Sequence, residues 1–337
     1  MTTLVDAHLD LAWNVSRGRD VLWPAAEQPV VDNEIATVGL PDLKAGKVGI
    51  VGATLFALPA STTLGDGGYR DHAGAAAQAR AQLETYRHWE QQGLATIVRE
   101  AADLDGDGLR LVVLMEGADP MSLPGESGAA APADWFDAGV RMVGLAWKGT
   151  RYAGGTGEPG PLTEDGRLLV KELDRVGMIH DVSHLAEQSL DDLLNLASGP
   201  ICASHSNCRS IVGDDRGGRH LPDRQIKAIV RRGGIVGINL FAKFLLPAGE
   251  YGKRPATLED VVKHVRHVCD LAGDATHVGI GSDMDGGFGR QHIPQEIETI
   301  ADLPKLGDAL SAAGFDDAAV SGFLGGNWAR FLRANLP

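Results

Sequence analysis

Cysteine is scarce. Three residues in a chain of 337, Cys202, Cys208 and Cys269, form an odd, widely spaced set. That argues against a disulfide framework and for a reduced, cytoplasmic protein. Positive charge is also in short supply. Lys plus Arg is 31 against 45 Asp plus Glu, a formal charge of −14, which excludes nucleic acid and anionic membrane surfaces as general partners. No apolar run approaches the roughly 18 residues of a membrane span. The opening MTTLVDAHLD has neither the basic start nor the cleavage site of a secretory signal. No GxGxxG follows the first candidate strand, which weighs against an open dinucleotide-binding sheet. No internal repeat or long linker divides the chain.

What is abundant is glycine, 44 of 337 residues, about twice the usual share. It falls in runs at 65–68, 153–160, 213–219 and 285–289, each following a candidate strand. Eight strands are read from short, almost continuous apolar runs: Leu4–Asp10, Val48–Leu58, Arg110–Gly117, Val140–Trp147, Met178–His184, Pro200–Ser206, Gly234–Phe241 and His277–Asp283. Such runs suit strands covered on both faces, as in a parallel sheet. Helical stretches are read over Tyr69–Gln92, Leu185–Leu196, Pro222–Arg232, Thr257–Ala272 and Asp317–Ala334, with Thr257 and Asp260 resembling a capping box. Eight alternations in about 300 residues predict an α/β fold of the (β/α)8 TIM-barrel type. One domain over 1–337 is expected, with an excursion at about 14–46 that is too long for an ordinary strand-to-helix connection.

Barrels carry their chemistry at the C-terminal ends of the strands, and five of the eight runs end there in His, Asp or Glu. His8 and Asp10 share a strand face. Glu116 closes an apolar run, where an unpaired acid is costly. His184 and His205 end neighbouring strands, and Asp283 ends the last. His180, lower on its strand, is read as a group that orients its neighbours from behind. His72, His88, His264 and His267 are read as solvated helix residues. Each feature alone has a bland explanation as a turn, a rim ion pair or a hydrogen-bonded core group, but their joint placement does not. Two ligand sets follow: His8 with Asp10, and His184 with His205, with Glu116 able to bridge them. Nitrogen and oxygen donors without thiolate suit Zn²⁺, with Mn²⁺, Co²⁺ or Fe²⁺ also open. Two such ions about 3.5–4 Å apart bring the pKa of a bridging water towards ~7, giving a hydroxide nucleophile whose proton Asp283 can take.

The blocks VDAHLDL, MEG, HDVSH, ASHS and HVGIGSDMDGG, in this order and spacing and continuing to GGNWARFL, resemble the membrane (renal) dipeptidase family of binuclear zinc peptidases within the amidohydrolase superfamily. The resemblance runs nearly end to end. It implies a (β/α)8 barrel that cleaves small dipeptides, often tolerating a D-residue at the C-terminal position, with two Zn²⁺ per chain and a homodimer. It makes His8, Asp10 and Glu116 ligands of one zinc, and Glu116, His184 and His205 ligands of the other, so that Glu116 bridges. Asp283 matches the proton-shuttling acid. Arg219, in RHLPD, matches the arginine that holds the substrate carboxylate, with Arg216 as a nearby alternative. One position departs: Trp147, in GLAWKG, stands where the family often has a His that polarises the scissile carbonyl. That leaves Lys148 or Arg151 to serve, or keeps open a related amidohydrolase reaction on N-acyl amino acids or other small amides and lactones.

Overall fold

Strands rich in Val, Ile, Leu and Met need cover on both faces, and the computed structural model, which describes residues 3–60, 68–126, 130–213 and 217–337, supplies it by closing them into a barrel. The eight barrel strands are β1 (Leu4–Leu9), β2 (Val48–Phe56), β3 (Leu109–Glu116), β4 (Val140–Gly144), β5 (Ile179–Asp181), β6 (Ile201–Cys202), β7 (Val236–Ile238) and β8 (Val278–Ile280). Pairing is parallel throughout, in the order β7-β8-β1-β2-β3-β4-β5-β6, and a bridge from Ala203 to Val236 joins the two ends. A short extra strand, Ala95–Ile97, lies along β3. Val5, Ile50, Val112, Leu114, Met142, Ile179 and Cys202, from six successive strands, pack into one cluster with Trp328, Phe331 and Leu332 of the C-terminal helix.

The strands β5 to β8 stop earlier than their apolar runs predict, because polar side chains turn the chain at the rim. Asp181 accepts from the Ser183 and Ser204 amides, and Asp6 accepts from the Ser282 amide. Helices cover the outside at His72–Gln91, Glu187–Leu196, Asp223–Arg231 and Leu258–Ala272, close to the expected spans, and Thr257 and Asp260 form a capping box. The helix Glu164–Val176, started by Thr163 and ended by Gly177 in the left-handed region, adds to the helical stretches expected from the sequence. The expected helix Asp317–Ala334 is broken: Gly325 leaves helical backbone, and a Cβ there would sit 2.3 Å from the Thr3 carbonyl. The 153–160 glycines build an antiparallel hairpin, Ala153–Gly155 with Glu158–Leu162, instead of a plain turn. Residues 65–67 and 214–216, including Arg216, lie outside the described residues.

The segment 14–46 holds only short helical turns, among them Leu40–Ala45. It is fixed to the loop after β8 through Asp285, which accepts from Thr37 and Val38 and pairs with Arg19 at 2.9 Å. Among the described residues, no helix is long and apolar enough to cross a membrane.

Candidate metal centre

Six polar side chains converge at the C-terminal rim. His8 lies in β1, Asp10 follows it, and Glu116 ends β3. His184, His205 and Asp283 each sit three residues beyond the ends of β5, β6 and β8. His184 and Asp283 have φ of 66° and 60°, a conformation uncommon for residues other than glycine and often found at functional sites. The carboxylate of Asp283 occupies the space a Cβ on Gly286 would fill, at 2.0 Å.

The six side chains are buried and bring their donor atoms together in two groups. Glu116, His184 and His205 offer atoms within 4.8 Å of one another, and so do His8, Asp10 and Asp283. Glu116 lies between the groups: Oε1 is 3.3 Å from His184 Nε2 and 3.4 Å from His205 Nε2, and Oε2 is 3.5 Å from His8 Nε2. Asp283 thus lies with His8 and Asp10, closer to the expected ligand set than its separate role as shuttle implies.

The donor set fits a divalent cation. His8 Nε2 is buried with no hydrogen-bond partner. The Nε2 atoms of His184 and His205 face each other at 2.9 Å, while their Nδ1 atoms lie on the hydroxyls of Thr156 and Ser204 at 3.0 and 2.7 Å. If both Nδ1 atoms carry the protons, two lone pairs and a carboxylate oxygen converge on one point, an arrangement that a bound cation satisfies.

The electrostatics agree with this. Burial pushes Asp283 up to about 8, with Asp10 and Glu116 adding to the rise and His8 and Arg219 opposing it. Asp10 is raised to about 6, by burial and then by Glu116. Burial works against the His8 imidazolium, but Glu116, Asp10 and Asp283 carry it up to about 10. His184 and His205 are held well below the ordinary imidazole value by burial and by neighbouring cations. Three carboxylates crowded into a low-dielectric site have too little positive charge among their protein neighbours.

Several supporting residues carry no sequence signal. Thr54 donates its hydroxyl to Asp10. Asn239 Nδ2 donates to Asp283 Oδ2 at 2.8 Å, and its Oδ1 is already taken by the Phe241 amide, which fixes the orientation of the amide. Asp181 and Ser204 stand behind His8 and His205. His180 does not orient these rings: its Nε2 pairs with Asp174 at 2.7 Å. His264 is not solvated either; it is fully buried and bonds the Cys208 amide and the Leu245 carbonyl.

Above the carboxylates is a cavity of about 220 Å³, walled by Trp13, Phe56 and Trp147 on one side and Phe241, Phe244 and Phe288 on the other. Trp147 packs edge-on to Phe56 at 5.1 Å, with its ring 6.2 Å from that of His184. Lys148 lines the cavity. Arg219 does not. It is buried behind it, with Nη2 donating to the His205 carbonyl at 2.6 Å, Nη1 to Ser206 Oγ at 3.2 Å, and the guanidinium 5.1 Å from the Phe244 ring. Arg151 pairs with Glu126.

A family model described as membrane dipeptidase, peptidase family M19, matches residues 1–335. An uncharacterized protein in the pqqA 5′ region of Klebsiella pneumoniae is 33% identical over 234 residues, 67% of this chain and 82% of that protein. A dipeptidase of Claviceps purpurea is 32% identical over 200 residues, 58% of this chain. That match spans less than half of the fungal protein, 44%. Among solved structures, a metallo peptidase from Rhodobacter sphaeroides, liganded with a phosphinate mimic of the dipeptide L-Ala-D-Ala, superimposes with a TM-score of 0.79 at 26% identity, covering 99% of both chains.

Proposed function

From the premise that the chain belongs to the membrane dipeptidase family, peptidase family M19, we propose that it is a metal-dependent hydrolase of small dipeptides, working as a single barrel domain with zinc as its metal and two ions per chain. The observation that carries this reading is the convergence of three imidazole Nε2 atoms on the two oxygens of one buried glutamate, with Asp10 and Asp283 alongside. His8, Asp10 and Glu116 would hold one ion, and Glu116, His184 and His205 the other. The donors are nitrogen and oxygen only, a set suited to zinc. When bound, the metal supplies Lewis-acid polarisation of the scissile carbonyl and a more acidic water.

The chain's own residues do the rest. Asn239 holds Oδ2 of Asp283, leaving Oδ1 to take a proton from the attacking water and return it to the leaving amine. The two aromatic walls exclude water and favour apolar side chains on the substrate. Arg219 is our choice for the group that recognises the substrate α-carboxylate: it stands behind the cavity wall with both Nη atoms engaged, but its Nε is buried and unpartnered, which leaves one charge-assisted donor for a carboxylate. All three cysteines are free thiols, which supports a reducing, cytoplasmic location. Trp147 supports a second reading, an N-acyl amino acid as substrate: its indole, packed on Phe56, gives the cavity an apolar wall that suits an uncharged acyl group better than the free ammonium of a dipeptide.

Elemental analysis of the purified protein should give about two zinc ions per chain. Dialysis against a chelator should abolish hydrolysis of L-Ala-D-Ala, and returning Zn²⁺ should restore it. Activity that persists at zero metal content overturns the reading. A parent enzyme that cleaves N-acetyl-alanine but no dipeptide moves it to the second substrate class.

A further inference from the structure

The three imidazoles of the centre each turn Nε2 towards Glu116 and Nδ1 towards a hydroxyl, but they do not use three hydroxyls. Thr156 serves His184 alone, at 3.0 Å. Ser204 Oγ serves both of the others: it lies 2.7 Å from Nδ1 of His205 and 3.1 Å from Nδ1 of His8. These rings fall in different ligand sets. We propose that the Ser204 hydroxyl is a positioning group shared by the two halves of the centre, which fixes the orientation and tautomer of His8 and His205 together.

The argument is one of hydrogen-bond capacity. A serine hydroxyl has one proton to donate and two lone pairs to accept with. Asp181 Oδ2, at 2.5 Å from Ser204 Oγ, claims the proton, because a carboxylate only accepts. Oδ1 of the same carboxylate is occupied by the Ser183 and Ser204 amides at 3.0 and 2.8 Å, so Asp181 cannot turn away. With its proton committed, Ser204 Oγ is left with two lone pairs, and the two Nδ1 atoms fill them as N–H donors. Each ring then carries its proton on Nδ1 and a lone pair on Nε2, the form that binds a cation. Ser183 Oγ, at 3.4 Å, is the more distant neighbour; it accepts from the His205 amide at 3.0 Å. The backbone fixes Ser204 as firmly as the side chains do. Its carbonyl lies where a Cβ on Gly237 or Gly281 would be, at 1.9 and 1.7 Å, and all of these groups are buried.

This inference rests on the two-zinc reading, and its signature differs from that of a ligand mutation. Losing a ligand weakens one site most; losing the shared hydroxyl weakens both. Ser204→Ala leaves Asp181 with its two amide donors, so the turn survives, but both Nδ1–H groups lose their acceptor. Asp181→Asn, nearly isosteric, does something else. Its amide nitrogen donates to Ser204, the serine proton must swing to one imidazole Nδ1, and only that ring is forced into the tautomer whose Nε2 is blocked.

The test is zinc titration against a competing chelator, together with proton NMR of the histidine ring N–H groups in the zinc-loaded protein. For Ser204→Ala, both zinc-binding steps should weaken by roughly tenfold or more, and the Nδ1–H resonances of His8 and His205 should be lost to solvent exchange. Asp181→Asn should weaken one step and spare the other. A Ser204→Ala protein that binds both ions within twofold of the parent, or loses only one, overturns the shared role. If Ser204→Ala does not fold, as judged by circular dichroism, Asp181→Asn decides: both steps within twofold of the parent overturns the proposal. A parent that binds no zinc overturns the metal reading itself, a distinct result.

Discussion

Asp283 and Asp285 stand two residues apart on the loop after β8. Both are buried, and both have left-handed backbone, φ 60° and 65°. Their surroundings are opposite. Asp285 is saturated: it accepts from the Thr37 amide and hydroxyl and the Val38 amide, and lies 2.9 Å from an Arg19 nitrogen. Asp283 has one short donor, Asn239, and otherwise faces Asp10 and Glu116 across an imidazole. A carboxylate whose lone pairs are all answered by the protein holds structure. One left with unanswered lone pairs among other acids is waiting for a cation or a proton.

Breaking this comparison at its functional end gives the largest effect. Asp283→Asn should fold and retain most of its metal yet lose on the order of 10²–10⁴ in kcat, because the amide cannot take up the proton. Steady-state kinetics beside elemental analysis check it, and turnover within a few-fold of the parent would mean another group carries the proton. The structural end should respond in the opposite currency. Asp285→Ala removes the shorter of Arg19's contacts with Asp285 and Glu34 and frees residues 37–38, so unfolding stability should fall by about 3 kcal/mol, measured by urea titration, while kcat per folded molecule changes far less than in Asp283→Asn. A variant with parental stability and no turnover would reverse the two roles.

Arg219 sharpens the contrast, as a cation placed between function and structure. Arg219→Ala should raise KM for L-Ala-D-Ala by roughly 10- to 100-fold, the loss of a charge-assisted pair of about 1.5–3 kcal/mol. KM for the C-terminal amide of that dipeptide should move much less. Equal shifts for acid and amide would make Arg219 only a brace for the His205 carbonyl.

The smallest effect belongs to the opposite end of the barrel. Burial alone would raise Asp174, but His180 at 2.7 Å and the Ser198 and Gly199 amides hold its carboxyl well below the usual range. A folded pKa below the unfolded one contributes stability above the unfolded value, 3.8, and that contribution is lost as pH falls further. Between pH 5 and pH 3 the parent should therefore lose more stability than Asp174→Asn. Parallel pH profiles for the two would show that the pair contributes nothing.

The sequence shows the barrel and the converging side chains well, for a physical reason. Continuous apolar runs such as Leu111–Met115 leave the chain no choice but a doubly covered strand, and an acid at the end of one, Glu116, is conspicuous by its cost. The supports are hidden because hydroxyls and amides are common and their partners distant: Ser204 meets His8 across 196 positions, and Asn239 meets Asp283 across 44. His264 was legible and misread. It falls on the buried face of its helix with Val261, Val265 and Val268, and that helical spacing outweighs its polarity. The rim turns after β5 and β6 are set by Asp181, whose capping of two amides from different loops leaves no local pattern.

The contact between the Ser204 carbonyl and the bare backbones of Gly237 and Gly281 also sets terms for redesign. At those two glycines even one added carbon collides with main chain, and main chain cannot swing aside as a flexible side chain does. An engineer seeking new substrates could vary Trp147 and Phe241, because those half-buried rings line the cavity. Libraries that touch Gly237 or Gly281 would instead be spent on sequences unable to seat the loop beneath the two histidines.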